Sequence, residues 1–505
     1  MIRIETFLTN ASALAGMLLL LFAVSTSAAT LTVTNTNDSG PGSLRSALVD
    51  PECTYFATDI VFAIPTSDPN YDPEAQRFTI TLSSTLDPCL YAATTITNAM
   101  PQAVTIKGDD TFRIIDLSNS NSNVVITNLT ISNGYSMDGG AIYTGFGHTL
   151  TLNDCTFENN AAFYAAGAIY VDYGATLNVN RNTFVGNSSD YGGAMYVVGT
   201  VFMDSSTLSG NSATGYGGGA IYNDGTLHAV NSTFSGNTGF VYGGAILNWN
   251  TITATNNTFV HNQASNGGGL LLFGISTLQN NIVALNLASE FGPDIYGYAS
   301  GTYNLIGNIE YCDGLNTPTN LWGIGAAPLN PMVGPLQNNG GPTFTHALLE
   351  GSPAIDQGNS PAYFTDQRGY PRPSGSPLMG LPGDGSDMGS YERLGPSSAT
   401  VTIGGRFLTS NEKDGRGISG VTVYLADQEG NLRTARTNLF GYFEFSGVET
   451  GKTYIASAEH RLYRFETRSI NVTDEIADLV WIPLIADRSP SQPVRSDRVA
   501  ETKFR

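Results

Sequence analysis

Short runs that alternate apolar and polar side chains recur through the middle of the chain: LTLND from Leu150, LNVNR from Leu177 and ITATN from Ile252. Each has the period of a strand with one buried face. A second phrase follows at a fixed interval, an apolar residue with asparagine three positions later: Phe157/Asn160, Phe184/Asn187, Leu208/Asn211, Phe234/Asn237 and Phe259/Asn262. A third phrase is a small pair, mostly glycine, before apolar residues: GGAIY at Gly139, AGAIY at Ala166, GGAMY at Gly192, GGAIY at Gly218, GGAIL at Gly243 and GGLLL at Gly268. Its second glycine falls at 140, 167, 193, 219, 244 and 269, giving steps of 27, 26, 26, 25 and 25 residues. Self-similarity with a period of about 20–50 residues signals a stacked, quasi-one-dimensional fold.

No repeat holds a helix-length run of helical spacing, and glycine and asparagine, poor in helix interiors, are everywhere. Each repeat therefore predicts one coil of a parallel β-helix, two or three short strands joined by turns. Coils stack at about 4.8 Å, so each repeat position becomes a ladder along the axis. Phe157, Phe184, Leu208, Phe234 and Phe259 predict an apolar core ladder. Asn160, Asn187, Asn211, Asn237 and Asn262 predict an amide ladder at a turn, where side chains bond each other.

The paired FxxN and GGA-aliphatic phrases of residues 124–290 resemble the polymorphic outer-membrane-protein repeat. That resemblance implies a right-handed parallel β-helix of the pectin-lyase-like type, without implying pectin chemistry.

Residues 1–29 have the form of a secretory signal: Arg3, an apolar run from Leu14 to Val24, then small residues ending Ser27-Ala28-Ala29. Residues 30–123 open with LTVTNTNDSGPGSLRSALVD from Leu31, which resembles the start of bacterial secreted β-helix proteins. It predicts a strand, a glycine turn and a short helix that cover the first coils, because an uncovered first coil leaves unpaired backbone edges.

After the repeats, residues 291–395 lose the period and predict the last coils and a carboxy-terminal cap. GGPTFTHALLEGSPAIDQGN from Gly340, with TDQRGYPRP and GDGSDMGSYE, resembles the end of the choice-of-anchor Q family. Asp356, Asp366, Arg368, Arg372, Asp387 and Glu392 in this stretch read as ion pairs of a cap over the last coil. Residues 399–484 shift to strands separated by turn signals, a small antiparallel β-sandwich. The runs GVTVYL from Gly420 and TNLFGYF from Thr437 resemble the carboxypeptidase-regulatory-like domain, which implies an accessory module and no peptidase activity. Residues 485–505, rich in Ser, Pro and Arg, read as a disordered tail. With 21 residues after Leu484 no outer-membrane barrel is expected there, and secretion or capture by a partner is.

Composition narrows the chemistry. The net charge of −20 argues against nucleic acid, since phosphate binding needs a basic face. No Lys or Arg occurs from Asn182 to Gln367, which leaves only Lys107, Arg113 and Arg181 on the helix as the base that polysaccharide lyases of this fold use and argues against a lyase. Asp172 and Asp224 occupy equivalent positions two coils apart, about 10 Å by stacking, the spacing of an inverting glycosidase pair or of two solvated turn residues. The histidines are scattered, with no GxSxG or HExxH context. Asp384-Gly385-Ser386-Asp387 has an acidic spacing that hints at calcium, without the full loop pattern that binds it; no other cofactor is expected. Cys53 and Cys89 bracket one non-repeat region and are the expected disulfide, while Cys155 sits at a small-residue repeat position. Tyr143, Tyr170, Tyr196 and Tyr222 stand in line after the glycine pairs, with Leu247 and Leu272 continuing the position. Pointing inward they are core; pointing outward they form an aromatic strip for sugars or a partner protein. The whole predicts an all-β, exported bacterial surface or extracellular protein that binds a polysaccharide or surface protein without catalysis. The alternative is a carbohydrate-active hydrolase using Asp172 and Asp224.

Overall fold

The computed structural model describes residues 28–51, 56–88, 90, 93–119, 123–374, 383–393, 400–410, 415–427, 431–450, 452–472 and 476–486. Residues 1–27 of the expected leader, the expected pair Cys53 and Cys89, and residues 487–505 of the expected tail lie outside these. The chain forms two units, divided between Arg393 and Leu394.

In the first unit, one turn of chain passes through four strands: Thr149–Asn153, Thr156–Glu158, Ala161–Ala165 and Ile169–Val171. Each pairs in parallel with its counterpart in the next turn. Repetition builds four sheets, of 11, 12, 7 and 9 strands among the described residues, which are the first to fourth faces of a parallel β-helix. Alternation along each strand decides what is buried. Leu150, Leu152, Phe157, Ile169 and Val171 point inward and are 0 % exposed. Phe157 pairs with Phe184, Leu208, Phe234 and Phe259 in successive coils, as the spacing predicts. The Phe157 and Phe184 rings stack with centroids 4.9 Å apart. Burial of each ring contributes roughly 1.5–3 kcal/mol.

The second ladder is polar and wholly internal. Asn160 donates its backbone N–H and its side-chain amide to Asn187 Oδ1, both at 3.0 Å. Asn187, Asn211, Asn237 and Asn262 repeat the pattern to the next coil, ending on Asn286. Each amide also donates to a backbone carbonyl, as Asn187 does to Phe157 O at 3.0 Å. Buried amides in a low-dielectric interior are tolerated because every donor finds an acceptor. A parallel ladder at the previous corner runs from Cys155 N through Asn182, Ser206, Ser232, Asn257 and Asn281 to Asn304. Cys155 is a buried free thiol there, pushed up to about 12 by burial.

The glycine pairs turn the chain from the third face to the fourth. Their first member has left-handed backbone at Gly139, Gly192, Gly218 and Gly243, with φ between +59° and +71°. The second is packed so closely that a Cβ at Gly193 would lie 2.2 Å from the Gly219 carbonyl oxygen of the next coil. This contact also corrects the last step of the repeat. A Cβ at Gly244 would meet Gly268 O, and Gly267 carries the left-handed φ of +64°, so the sixth pair is Gly267-Gly268 and not Gly268-Gly269. In a run of three glycines the sequence alone does not distinguish the two registers.

At the amino-terminal end, Ala29–Val33 pairs in parallel with Thr58–Phe62. A short helix, Leu44–Leu48, is capped by Ser43, whose Oγ accepts from Ser46 N at 3.1 Å, and it buries Leu44, Ala47 and Leu48.

Residues 330–374 and 383–393 lie along the outside of the second face. There Thr207, Thr233 and Thr258 are at most 1 % exposed, whereas their counterparts Thr156 and Thr183 in earlier coils remain partly exposed. Thr207 Oγ1 donates to Phe344 O at 2.6 Å and Thr233 Oγ1 to Gln367 Oε1 at 2.6 Å. Thr258 Oγ1 accepts from Ser390 N at 3.0 Å. Leu348, Ala354, Met388 and Tyr391 pack with the outward residues Val260, Ile282 and Ala284. The segment is a lateral clasp spanning several coils. The physical reason is the outward apolar column at Val260, Ile282 and Ala284, which needs cover that a solvated face would not.

In the second unit, Thr400–Phe407 pairs antiparallel with Tyr442–Glu449 and parallel with Ile476–Trp481. Thr422–Ala426 lies between Leu432–Arg436 and Lys452–Glu459 in an antiparallel sheet. Phe407 stacks on Trp481 with centroids 5.2 Å apart, inside a core that includes Phe443 and Val423. No helix among the described residues is long and apolar enough to cross a membrane.

Candidate functional site

The tyrosine row lies on the outside of the fourth face. In Ile169–Val171 the flanking Ile169 and Val171 fill the interior, so Tyr170 between them points out and is half-buried. Tyr143, Tyr170, Tyr196 and Tyr222 are consecutive register partners. Their ring centroids are 5.2, 5.3 and 4.7 Å apart, with planes within 10° of parallel. The coil spacing forces this contact. It also changes the chemistry expected of an aromatic strip, because each ring face is covered by its neighbour. Ring edges and a line of hydroxyls are what the row offers.

Those hydroxyls remain protonated donors. Burial, followed by the charge of Asp172, pushes Tyr170 up to about 12. Burial also raises Tyr143, Tyr196 and Tyr222, helped at Tyr143 by the Asp172 hydrogen bond and at Tyr222 by the Asp224 charge. The Tyr143 hydroxyl donates to Asp172 Oδ2 at 2.8 Å, and Tyr173 N donates to Asp172 Oδ1 at 2.7 Å. Arg113 closes the lower end of the row, its guanidinium carbon 4.9 Å from the Tyr143 ring centroid, and it pairs with Asp116. Asp172 and Asp224 stand beside the row, separated by the coil that carries Val198 and hence by about 10 Å.

Above Tyr222 the row continues through Leu247 and Leu271, then Tyr296. The register assigns Leu271 and not Leu272, the same one-residue correction as at the glycines. Sequence reasoning did not find what lies next to these leucines. One position past the strands, in register after Asp224, come Trp249 and Phe273. Their rings are 4.5 Å apart and remain 39 % and 49 % exposed. A further column, Tyr164, Tyr191, Tyr216 and Tyr242, runs up the third face with centroids 4.8 to 5.5 Å apart. Tyr191 meets Tyr222 edge-on at 5.6 Å and joins the two columns. Bulges in the third-face pairing shift its register, which hid the column from the period. Asp138 and Asp190 add to the acidic border, with burial raising Asp138. The lone repeat cation, Arg181, is held away from this face by Asp154 at 2.7 Å.

The acidic and basic residues of the clasp form a buried scaffold. Arg368 pairs with Asp366 at 2.7 Å and lies over the Tyr391 ring at 3.7 Å. Arg372 Nε is 3.3 Å from Glu392 Oε2. Asp387 accepts from Asp356 N at 2.8 Å and from Arg393 N, while Glu392 accepts from Ser374 N at 2.8 Å and Asp387 N at 2.9 Å. Burial pushes Asp387 up to about 6 and Glu392 up to about 8, Glu392 also feeling the Asp387 charge. In the stretch with calcium-like spacing, Asp384 Oδ1 accepts from Ser386 N at 3.0 Å and Oδ2 from Ser360 N at 2.8 Å. Its carboxylate is engaged by the loop itself, and no group of three or more His, Cys, Asp or Glu among the described residues could hold a metal.

Residues 89–238 match the family described as the right handed beta helix region, and residues 401–479 match the second beta sandwich domain of BOS complex subunit NOMO1-like proteins. The β-helix is accordingly right-handed, and the second unit is similar to a known β-sandwich domain. No significant match is found among curated proteins or solved structures.

Proposed function

We propose that this is an exported bacterial surface or extracellular protein that binds, without catalysis, a neutral polysaccharide along the fourth face. The observation that carries the reading is the register of four outward tyrosines with Asp172 and Asp224 on one rigid sheet. A sugar chain laid along the axis would meet the phenol donors of Tyr170, Tyr196 and Tyr222 at successive coils and carboxylate acceptors at alternate coils. Next to Asp224, the exposed Trp249 and Phe273 offer ring surface to the apolar side of a pyranose. The border of Asp138, Asp172, Asp190 and Asp224 opposes acidic glycans.

The purified chain would be incubated with neutral and acidic polysaccharides, recording retention and chain length together. Retention of a neutral polymer without shortening, reduced in Tyr170→Phe/Tyr196→Phe/Tyr222→Phe, supports binding by this face. Shortening that is lost in Asp172→Asn or Asp224→Asn would make the protein a hydrolase instead. Retention unchanged in the triple variant would remove the tyrosine row from the site.

A further inference from the structure

The second unit carries a cleft whose charge is opposite to that of the β-helix. It has a volume of about 950 Å³ and is lined by Arg436, Arg461, Arg464, His460 and the hydroxyls of Ser419 and Thr422. Arg436 ends the strand Leu432–Arg436, Arg461 comes from the turn that follows Lys452–Glu459, and Arg464 from the short strand Tyr463–Arg464 after that turn. Sheet pairing places them together, because Leu432–Arg436 and Lys452–Glu459 flank the same central strand.

Three other arginines of this unit engage their guanidiniums with backbone carbonyls. Arg433 donates to Gly447 O and Ser446 O at 2.8 and 2.9 Å. Arg468 donates to Val480 O at 2.8 Å and lies over Trp481. Arg406 donates to Phe440 O at 3.0 Å and lies over Tyr442. Arg436, Arg461 and Arg464 have no ion pair or side-chain hydrogen bond among the described residues, and all three line one cavity. The single acid in the cleft, Glu459, already accepts from the Tyr424 hydroxyl at 3.0 Å. His460 stacks on Tyr463 with centroids 5.1 Å apart, and burial with the Arg461 charge lowers its basicity.

We infer that this cleft binds the anionic groups of an acidic oligosaccharide, carboxylates or sulfates held by the forks of Arg436, Arg461 and Arg464. A cavity of this size exceeds one small anion, and Tyr463 and Phe465 on its wall offer apolar contact to a sugar ring. The inference is independent of the tyrosine row. It gives the chain a place for acidic glycans that its cation-poor β-helix repels.

The full chain would be titrated with a defined oligogalacturonate, a heparin-derived oligosaccharide, a neutral malto-oligosaccharide and inorganic phosphate, at low and at raised salt. Saturable binding of an acidic oligosaccharide is expected, weakened by salt and reduced about tenfold by each of Arg436→Ala, Arg461→Ala and Arg464→Ala. Arg433→Ala and Arg406→Ala should leave it unchanged. Arg461→Lys, which keeps the charge and loses the fork, should fall between. Absence of binding by either acidic probe overturns the inference. So does equal loss in all five alanine variants, which would indicate diffuse charge, or phosphate binding as tightly as the oligosaccharides, which would indicate an anion site without sugar contact.

Discussion

Asn286 donates its backbone N–H and its side-chain amide to a single oxygen of Asp294, at 3.0 and 2.9 Å. Asp294 thereby terminates the asparagine ladder. Six asparagines below it point the same way, each handing two donors upward, and the Asp294 oxygen is the acceptor on which this chain ends. The second Asp294 oxygen accepts from Asn308 N at 2.7 Å, tying the ladder to the last coils. Burial pushes this carboxyl up to about 6 against the pull of those N–H groups.

Asp294→Asn should therefore disrupt the end of the ladder. The new amide has one oxygen for donors that now approach both carboxylate oxygens, so one donor would face another. At pH 8, where the wild-type group is ionised, a loss of about 1–3 kcal/mol is expected. Hydrogen exchange should accelerate for amides near Asn286 and Asn308 while those near Asn160 hold. Uniform exchange in the two proteins would show that the ladder needs no acceptor at its end.

The glycine pairs predict an asymmetry. The first position accepts alanine in one natural copy, Ala166, whose φ is +60°. Within that copy, Ala166→Gly should therefore relieve about 1–2 kcal/mol of left-handed strain. Gly167→Ala, at the second position of the same copy, should destabilise strongly or prevent folding, since its Cβ would lie 2.3 Å from Gly193 O and 2.5 Å from Ser188 N. Denaturant midpoints of the two variants decide; a Gly167→Ala variant as stable as the parent chain would mean the coils can spread.

The clasp should respond to pH through Glu392. Its folded-state carboxyl is raised by burial from the ordinary 4.5 to about 8, so the folded chain holds a proton that the unfolded chain releases. The stabilisation is complete below about 4.5 and lost as pH rises through about 8. Thermal unfolding at pH 5, 7 and 9 should show a declining midpoint, and Glu392→Gln should flatten that decline. Asp387, raised to about 6, contributes the earlier part of the same slope. A slope unchanged by Glu392→Gln would place the titrating group elsewhere.

The repeat was legible because coil stacking imposes one period on every ladder, so Phe157 and Asn160 announce their partners. What the period does not encode is direction and partner. Ile169, Tyr170 and Val171 are all apolar or aromatic, so the phrase leaves open which of them faces out. Thr183 and Thr207 occupy the same ladder, yet one is partly exposed and the other lies under the clasp, a difference made by residues more than a hundred positions away. The Trp249 and Phe273 pair belongs to a corner that holds Asp172, Val198 and Asp224 in other coils, so no motif marks it.

Tyr196 separates two ways in which the fourth face could hold a sugar. Its ring lies between Tyr170 and Tyr222, at 5.3 and 4.7 Å, so the face of the ring is already occupied and the hydroxyl is the free end. Tyr196→Phe keeps the ring stack and removes only that donor. Tyr196→Leu removes both, and the position accepts leucine two coils higher, at Leu247. If hydroxyls hold the ligand, both variants should weaken retention of a neutral polysaccharide alike, by the worth of one neutral hydrogen bond, about 0.5–1.5 kcal/mol. If ring faces hold it, Tyr196→Phe should bind as wild type and only Tyr196→Leu should fail. Trp249→Ala sharpens the comparison, since its ring surface is exposed and its loss should reduce binding in either case. Affinity electrophoresis of the three variants in polysaccharide gels distinguishes the outcomes, and the covered ring faces predict the first.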